Sequence, residues 1–239
     1  MQSSFKRCEQ KYLITAEQQD ALQKTFSQHM ISDQYGEYLV QNLYYDTENW
    51  DVIRESIEKP AYKEKLRLRC YGEASGTSVF YLELKKKYKG VVYKRRIAIS
   101  SQLFTSDSIR SIVSEAPSQI AKELGYYLQL NEVSEKIYIS YQRVAFVGIK
   151  DYELRVTFDT DICFRLDNLG FSSPDAGQYV LPEGKMLMEV KALGGMPLWM
   201  ANILSENGIF PASFSKFGVC YTDYICKHGC AEGTVRICA

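Results

Sequence analysis

The segment Lys65-Leu66-Arg67-Leu68-Arg69-Cys70 alternates basic with apolar side chains. That is the period of a strand with one face buried and the other lined with cations. Phe80-Tyr81-Leu82-Glu83-Leu84-Lys85 repeats the pattern, with Leu82 and Leu84 on one side and Glu83 and Lys85 on the other. In Tyr93-Lys94-Arg95-Arg96-Ile97-Ala98-Ile99, Lys94 and Arg96 share the face opposite Ile97 and Ile99. Three strands are therefore expected to present cations on one side. Lys65 to Arg96 carries ten Lys or Arg against two acids, Glu73 and Glu83, although the whole chain balances 29 against 29. The positive charge is segregated.

Same-face neighbours on a strand lie about 7 Å apart, so a like-charge pair repels by roughly 0.6 kcal/mol in water and about 2.4 kcal/mol at an effective dielectric near 20. A solvated face tolerates this, whereas an enclosed one needs an anionic occupant. Two readings of the local pattern stand at this point: a solvated basic sheet face, or a polyanion site in which Arg forks and Lys point charges hold phosphate oxygens.

With 239 residues, 46% hydrophobic and 24% charged, the chain has the length and composition of a globular protein with a sizeable core. No apolar run approaches the roughly 20 residues of a membrane span, and Met1 to Arg7 holds no apolar signal core. A cytoplasmic chain is expected. Seven scattered cysteines make no disulfide framework. Cys226, Cys230 and Cys238 lie near His228, but their spacing matches no regular zinc pattern, so they read as free thiols.

Phe5 to Ile14 alternates as a first strand with Arg7, Glu9 and Lys11 on one face. Thr15-Ala16-Glu17-Gln18 is a capping box that opens a helix to about Met30. Val40 to Asp46 reads as a strand, Glu48 to Glu58 as a helix stopped by Pro60, and Ser101 to Leu124 as a helical stretch interrupted at Pro117. Lys136 to Phe146 and Glu153 to Asp159 form an expected hairpin, in which Tyr141 and Arg143 share a face. Met186 to Lys191 is the last strong strand, where Glu189 and Lys191 stand among apolar residues. Pro197 opens a helix to about Glu206, and a last helical stretch follows Ser213 through Tyr224. Residues 1–227 read as one domain and 228–239 as a loose tail.

At least seven strands of this kind lead to a fold that is mainly β (α+β). Closing the sheet removes its edges and gives the charged faces a common interior, so the expected architecture is a closed antiparallel β-barrel of about eight strands around a cationic tunnel, with helices outside.

Arg7-x-Glu9-x-Lys11-Tyr12, Asn42-Leu43-Tyr44-Tyr45-Asp46-Thr47, Leu66-Arg67-Leu68-Arg69, Leu82-Glu83-Leu84-Lys85, Tyr141-x-Arg143, Met188-Glu189-Val190-Lys191 and Ser213-Phe214-Ser215-Lys216-Phe217 follow one another in order. Together they resemble the VTC domain, the polyphosphate polymerase module of the vacuolar transporter chaperone family and its bacterial relatives, within the triphosphate tunnel metalloenzymes. The resemblance runs from about Phe5 to Tyr224. It implies transfer of the γ-phosphate of ATP to a polyphosphate chain, with Mn²⁺ or Mg²⁺ as cofactor. Carried over by motif, Lys11, Arg67, Arg69, Lys85, Lys94, Arg143 and Lys216 would be catalytic and Glu189 the metal ligand. Tyr141, Arg96, Arg155, Lys191 and Ser215 would bind substrate. Phosphoryl transfer suits such a set, since it needs positioning and dispersed positive charge more than a covalent nucleophile.

Arg7 stands where hydrolases of the CYTH type have the first Glu of Glu-x-Glu-x-Lys, which removes a carboxylate and argues against them. Glu83 reads as a neutraliser of neighbouring cations, and Glu9 as either that or a metal ligand. Arg155 and Lys191 either line the site or pair with Glu153 and Glu189. Lys86, Lys87, Lys89 and Arg95 read as solvated or outer-face charges, and His29 and His228 as surface residues. A tripolyphosphatase or nucleoside triphosphatase and a non-catalytic polyphosphate-binding module remain as alternatives. Nucleic acid is not an expected partner, because acids sit among the cations and no aromatic stacking motif is present.

Overall fold

The computed structural model describes residues 7–89, 91–106, 108–171 and 177–229. In chain order the elements are β1 (Arg7–Thr15), α1 (Ala16–His29), β2 (Met30–Asp46), α2 (Asp51–Ile57), β3 (Tyr62–Tyr71), β4 (Val79–Tyr88), β5 (Val91–Ser100), α3 (Ser101–Ser106), α4 (Ile109–Glu115), α5 (Gln119–Leu130), β6 (Ser134–Gly148), β7 (Arg155–Arg165), β8 (Gln178–Tyr179), β9 (Lys185–Leu193), α6 (Leu198–Glu206), α7 (Lys216–Val219), a π-helical stretch (Cys220–Ile225) and α8 (Cys226–Gly229).

Local chemistry sets the helix starts. Thr15 and Gln18 close the capping box reciprocally: Thr15 Oγ1 accepts from the Gln18 N–H at 3.3 Å, and Gln18 Oε1 from the Thr15 N–H at 3.0 Å. The fully buried Asp46 carboxylate accepts from the N–H groups of Thr47, Val52 and Ile53, which fixes the entry to α2. Ser108 and Ser118 cap α4 and α5 on either side of Pro117, so the single interrupted helical stretch of the sequence reading is three helices, the last reaching Leu130. Strand β2 begins at Met30 rather than Val40, and its first ten residues are mostly exposed, which is why they lack an apolar alternation.

The strands pair in the order β1-β9-β7-β6-β2-β3-β4-β5, with β8 beside β7. Strands β1 and β5 are the two ends of this order, and among the described residues they are not neighbours. The expectation of a closed antiparallel β-barrel tunnel is therefore wrong: the sheet is open. Edges can be managed without closure. Strand β5 exposes all six residues from Val91 to Arg96, and its consecutive Lys94, Arg95 and Arg96 repel a further strand. On β1, the Lys11 carbonyl accepts the Ala212 N–H at 2.7 Å, so a loop occupies that part of the edge.

The chain divides into two compact units, residues 1–39, 141–162 and 181–214, and residues 40–140, 163–180 and 215–239. In the first, Tyr12, Val156, Phe158, Met188 and Val190 pack with Leu22 and Phe26 of α1 and Met200 and Leu204 of α6. In the second, Leu66, Leu68, Leu82 and Leu84 are fully buried with Ile112 and Val113 of α4 and Ala121, Leu124 and Leu128 of α5. Each fully buried Leu, Val, Phe or Met side chain among them contributes about 1.5–3 kcal/mol by leaving water. The alternation therefore does direct the leucines beneath helices and the cations to the opposite face. No helix among the described residues is long and apolar enough to cross a membrane.

Candidate functional site

The register of the second unit sorts its charges into rows. Lys65 lies directly opposite Lys85, which lies opposite Lys94, so three lysines stand side by side across β3, β4 and β5. Directly opposite residues are about 5 Å apart at Cβ, where two unit charges repel by about 0.8 kcal/mol in water and about 3.3 kcal/mol at an effective dielectric near 20. These are upper limits, because lysine side chains can splay. In the next row Tyr44, Arg67, Glu83 and Arg96 are aligned across β2 to β5, and in the third Asn42, Arg69, Tyr81 and Ala98.

Glu83 organises these rows. Its Oε2 accepts from Arg67 Nε at 2.8 Å and Nη2 at 2.6 Å, while Arg69 Nε lies at 4.0 Å and Arg96 Nη1 at 3.9 Å from the carboxylate. Burial by itself would raise the pKa of Glu83, but Arg67, Arg69 and Lys94 outweigh it and hold the carboxyl below its ordinary value. The carboxylate thus neutralises cations, as its sequence position indicates. Arg67 Nη1 donates to the Tyr44 hydroxyl at 3.1 Å, and Arg69 donates to Asn42 Oδ1 at 2.8 Å and the Tyr71 hydroxyl at 3.3 Å. Arg96, half exposed, lies 4.7 Å from the Tyr81 ring centroid.

Ser215 and Lys216 belong to the same unit. Ser215 Oγ accepts the Gly218 N–H at 3.2 Å and receives Lys65 Nζ at 3.5 Å, so Ser215 is engaged in capping α7. Lys216 is buried. The Phe217 ring packs tilted against Tyr44 and edge-on to Trp50, with centroids at 5.0 Å and 6.2 Å. Lys86 and Arg95 lie on the other face and reach Glu123 of α5 at 3.8 Å and 3.1 Å, which places both outside the cationic rows.

The first unit holds a second charged group. Lys11, Glu189 and Thr157 are aligned across β1, β9 and β7, and the adjacent row is Glu9, Lys191 and Arg155. Glu189, 8% exposed, has Lys11 Nζ at 3.5 Å from Oε1 and Lys191 Nζ at 3.4 Å from Oε2. Lys11 also donates to the Phe214 carbonyl at 2.9 Å. Arg143 makes a fork with Asp159, Nε to Oδ1 at 2.6 Å and Nη2 to Oδ2 at 2.8 Å, and its guanidinium carbon lies 5.1 Å from the centroid of the buried Tyr141 ring. Burial opposes the charge on Arg143, but Tyr141, Asp159 and Glu189 outweigh it and raise its pKa above the ordinary arginine value. Arg155 pairs with Asp33 at 3.0 Å.

Among the described residues no three His, Cys, Asp or Glu come together as a metal cage. The Glu189 carboxylate has chemistry compatible with the implied Mn²⁺ or Mg²⁺, since such an ion is commonly held by one or two carboxylates with substrate oxygens and water completing its shell. Each oxygen of Glu189 already has an ammonium beside it, so a divalent cation there is favoured only when an anion offsets those lysines.

The structure gathers Arg67, Arg69, Lys85, Lys94 and Arg96 in one unit and Lys11, Arg143, Arg155, Lys191, Tyr141 and Glu189 in the other. Tyr44, Asn42 and Asp159 join these charged groups although the sequence gives none of them a role. Asn42 and Tyr44 lie within Asn42-Leu43-Tyr44-Tyr45-Asp46-Thr47, where their alternation on one face of the strand is a signal. Asp159 lies 16 positions from Arg143, and only strand pairing brings them together. His29, expected as an ordinary surface residue, stacks on Trp199 at 4.3 Å. Cys226 is a free thiol; Cys230, Cys238 and the His228 side chain lie outside the described residues, as does the side chain of Arg7.

A family model for the VTC domain matches residues 6–224. This ties the chain to polyphosphate chemistry in general. Among solved structures, the chain is similar to the PH1819 protein from Pyrococcus horikoshii OT3, with 14% identity, a TM-score of 0.50, and coverage of 91% of this chain and 99% of that one. At that identity the likeness concerns the fold alone. A second similarity, to a chain in the Schizosaccharomyces pombe Mediator head module, has 12% identity and a TM-score of 0.42 over 92% of this chain and 96% of that one, and supports no conclusion. No curated protein matches the chain.

Proposed function

We propose, from the premise that this chain belongs to the VTC domain family, that it is a polyphosphate polymerase that transfers the γ-phosphate of ATP to the end of a polyphosphate chain with Mn²⁺ or Mg²⁺. The observation that carries this reading is the pair of rows in the second unit, where Lys65, Lys85 and Lys94 lie side by side and the next row sets Arg67 and Arg96 on either side of Glu83. A face so cationic is stabilised by an anion of high charge density, and a linear polyphosphate supplies one negative charge or more per phosphoryl unit.

Phosphoryl transfer gives a protein little covalent work, so positioning and charge stabilisation carry the catalysis. In the second unit Arg67 and Arg69 are held in place by Glu83, Tyr44 and Asn42, so little reorganisation is needed when phosphate oxygens approach. Lys85, Lys94 and Arg96 add positive charge, and Ser215 and Lys216 stand at the α7 end of the same unit. In the first unit Lys11, Lys191, Arg143 and Arg155 bind phosphate oxygens, with Tyr141 holding the Arg143 plane. Glu189 would hold the metal, which supplies charge neutralisation and Lewis acidity toward the phosphoryl group. A hydrolase would use the same cations with water as acceptor, so the products distinguish them.

The purified chain is incubated with ATP and Mn²⁺, and polymer, ADP and free phosphate are measured. Polymer growth with ADP release and little free phosphate is expected. Stoichiometric free phosphate without polymer would replace the polymerase reading by a triphosphatase, and no turnover with tight tripolyphosphate binding would leave a binding module.

A further inference from the structure

Most polar side chains around Glu189 have a visible partner: Lys11 has Phe214 and Glu189, Lys191 has Glu189, and Asp159 has Arg143. Thr157 does not. Its side chain is 2% exposed, and its Oγ1 is buried with no hydrogen-bond partner. Register places it directly opposite Glu189, on the face of β7 shared with Arg155 and Asp159. Native structures seldom bury a hydroxyl without a partner, because its desolvation is then uncompensated. Valine has nearly the same shape, suits a strand equally well and lacks that penalty. A threonine directly opposite a carboxylate that carries two ammoniums is explained by a ligand that offers an acceptor.

We infer that the Thr157 hydroxyl donates a hydrogen bond to a phosphate oxygen of the polyanion bound at the Lys11–Glu189–Lys191 group, which makes Thr157 a further ligand-binding residue. The inference rests on the phosphate-binding reading of this site. Lys11 and Lys191 supply charge with little directional demand. A short hydroxyl on a stiff β-branched side chain supplies direction instead, and selects a tetrahedral oxyanion at one position relative to Glu189.

Tripolyphosphate affinity is measured by titration calorimetry without metal for the wild type, Thr157→Val and Thr157→Ser, together with the melting temperature of each ligand-free protein. The wild type is expected to bind. Thr157→Val should bind about tenfold more weakly, the loss typical of one hydrogen bond to a charged group, while melting at or above the wild-type temperature. Thr157→Ser, which keeps the hydroxyl, should recover most of the affinity. Equal affinity of Thr157→Val and wild type overturns the inference and leaves the proposed function intact. A large drop in the melting temperature of ligand-free Thr157→Val also overturns it, since the hydroxyl would then serve the fold. A wild type that ignores tripolyphosphate removes the phosphate-binding reading itself.

Discussion

Glu83→Gln tests whether the cationic rows are held in reserve for an anion. Gln keeps the size and one acceptor but removes the charge that faces Arg67 at 2.6 Å and 2.8 Å, Arg96 at 3.9 Å and Arg69 at 4.0 Å. At about 4 Å between charge centres and an effective dielectric near 20, one such attraction is about 4 kcal/mol. Loss of one partner from a buried pair costs about 3–5 kcal/mol. Arg96 is half exposed and Gln still accepts a hydrogen bond, so the expected loss is about 2–3 kcal/mol. For a chain of this size that lowers the melting temperature by roughly 5–10 °C. Tripolyphosphate should then stabilise the variant more than the wild type, because the polyanion replaces the missing carboxylate. The difference between the two proteins also depends on pH. The folded-state pKa of Glu83 is held below its ordinary value, so its contribution is present above the unfolded value of about 4.3 and is lost as pH falls through the folded pKa. Melts at neutral pH and through that acid window, with and without tripolyphosphate, measure all of this. A variant as stable as the wild type at neutral pH, or one that tripolyphosphate stabilises less, would refute the reasoning.

Glu189→Gln should abolish most turnover while leaving the fold and the metal-free affinity for tripolyphosphate intact or higher, since Lys11 and Lys191 then face less negative charge; a Mn²⁺ titration of activity with unchanged metal dependence would remove Glu189 from the mechanism. Leu84→Ala removes a fully buried side chain from the core of the second unit and should cost about 2–5 kcal/mol in urea unfolding; a loss below about 1 kcal/mol would mean that the helices do not seal that face as described.

What the sequence makes legible is local. The alternation of Leu66, Leu68, Leu82 and Leu84 with cations identifies both the strands and the face that meets the helices, because strand periodicity and burial are coupled residue by residue. Thr15 and Gln18 mark a helix start to within a residue because the capping bonds lie within one turn. The open sheet was not legible. Closure depends on whether two particular edges meet, and the features that make open edges tolerable here are a run of charges on β5 and one long-range bond from Ala212 to the Lys11 carbonyl. Nor does the polar first half of β2 announce itself, since it pairs through its backbone without burying an apolar face.

The charged residues show the same division at the site. Composition marks Lys65 to Arg96 as a cationic segment, but register determines which charges confront one another, and register is a tertiary property. It aligns Lys65, Lys85 and Lys94 in one row and supplies the adjacent row with the single carboxylate of Glu83. On the opposite face of the same strands, Glu123 of α5 stands beside Lys86 and Arg95. The two faces share strands, solvent and sequence neighbourhood, so the contrast between them is hard to ascribe to local sequence constraint. It follows from the register and the two-residue period of the strands, which turn Lys65, Lys85 and Lys94 to one face and Lys86 and Arg95 to the face that meets Glu123 of α5.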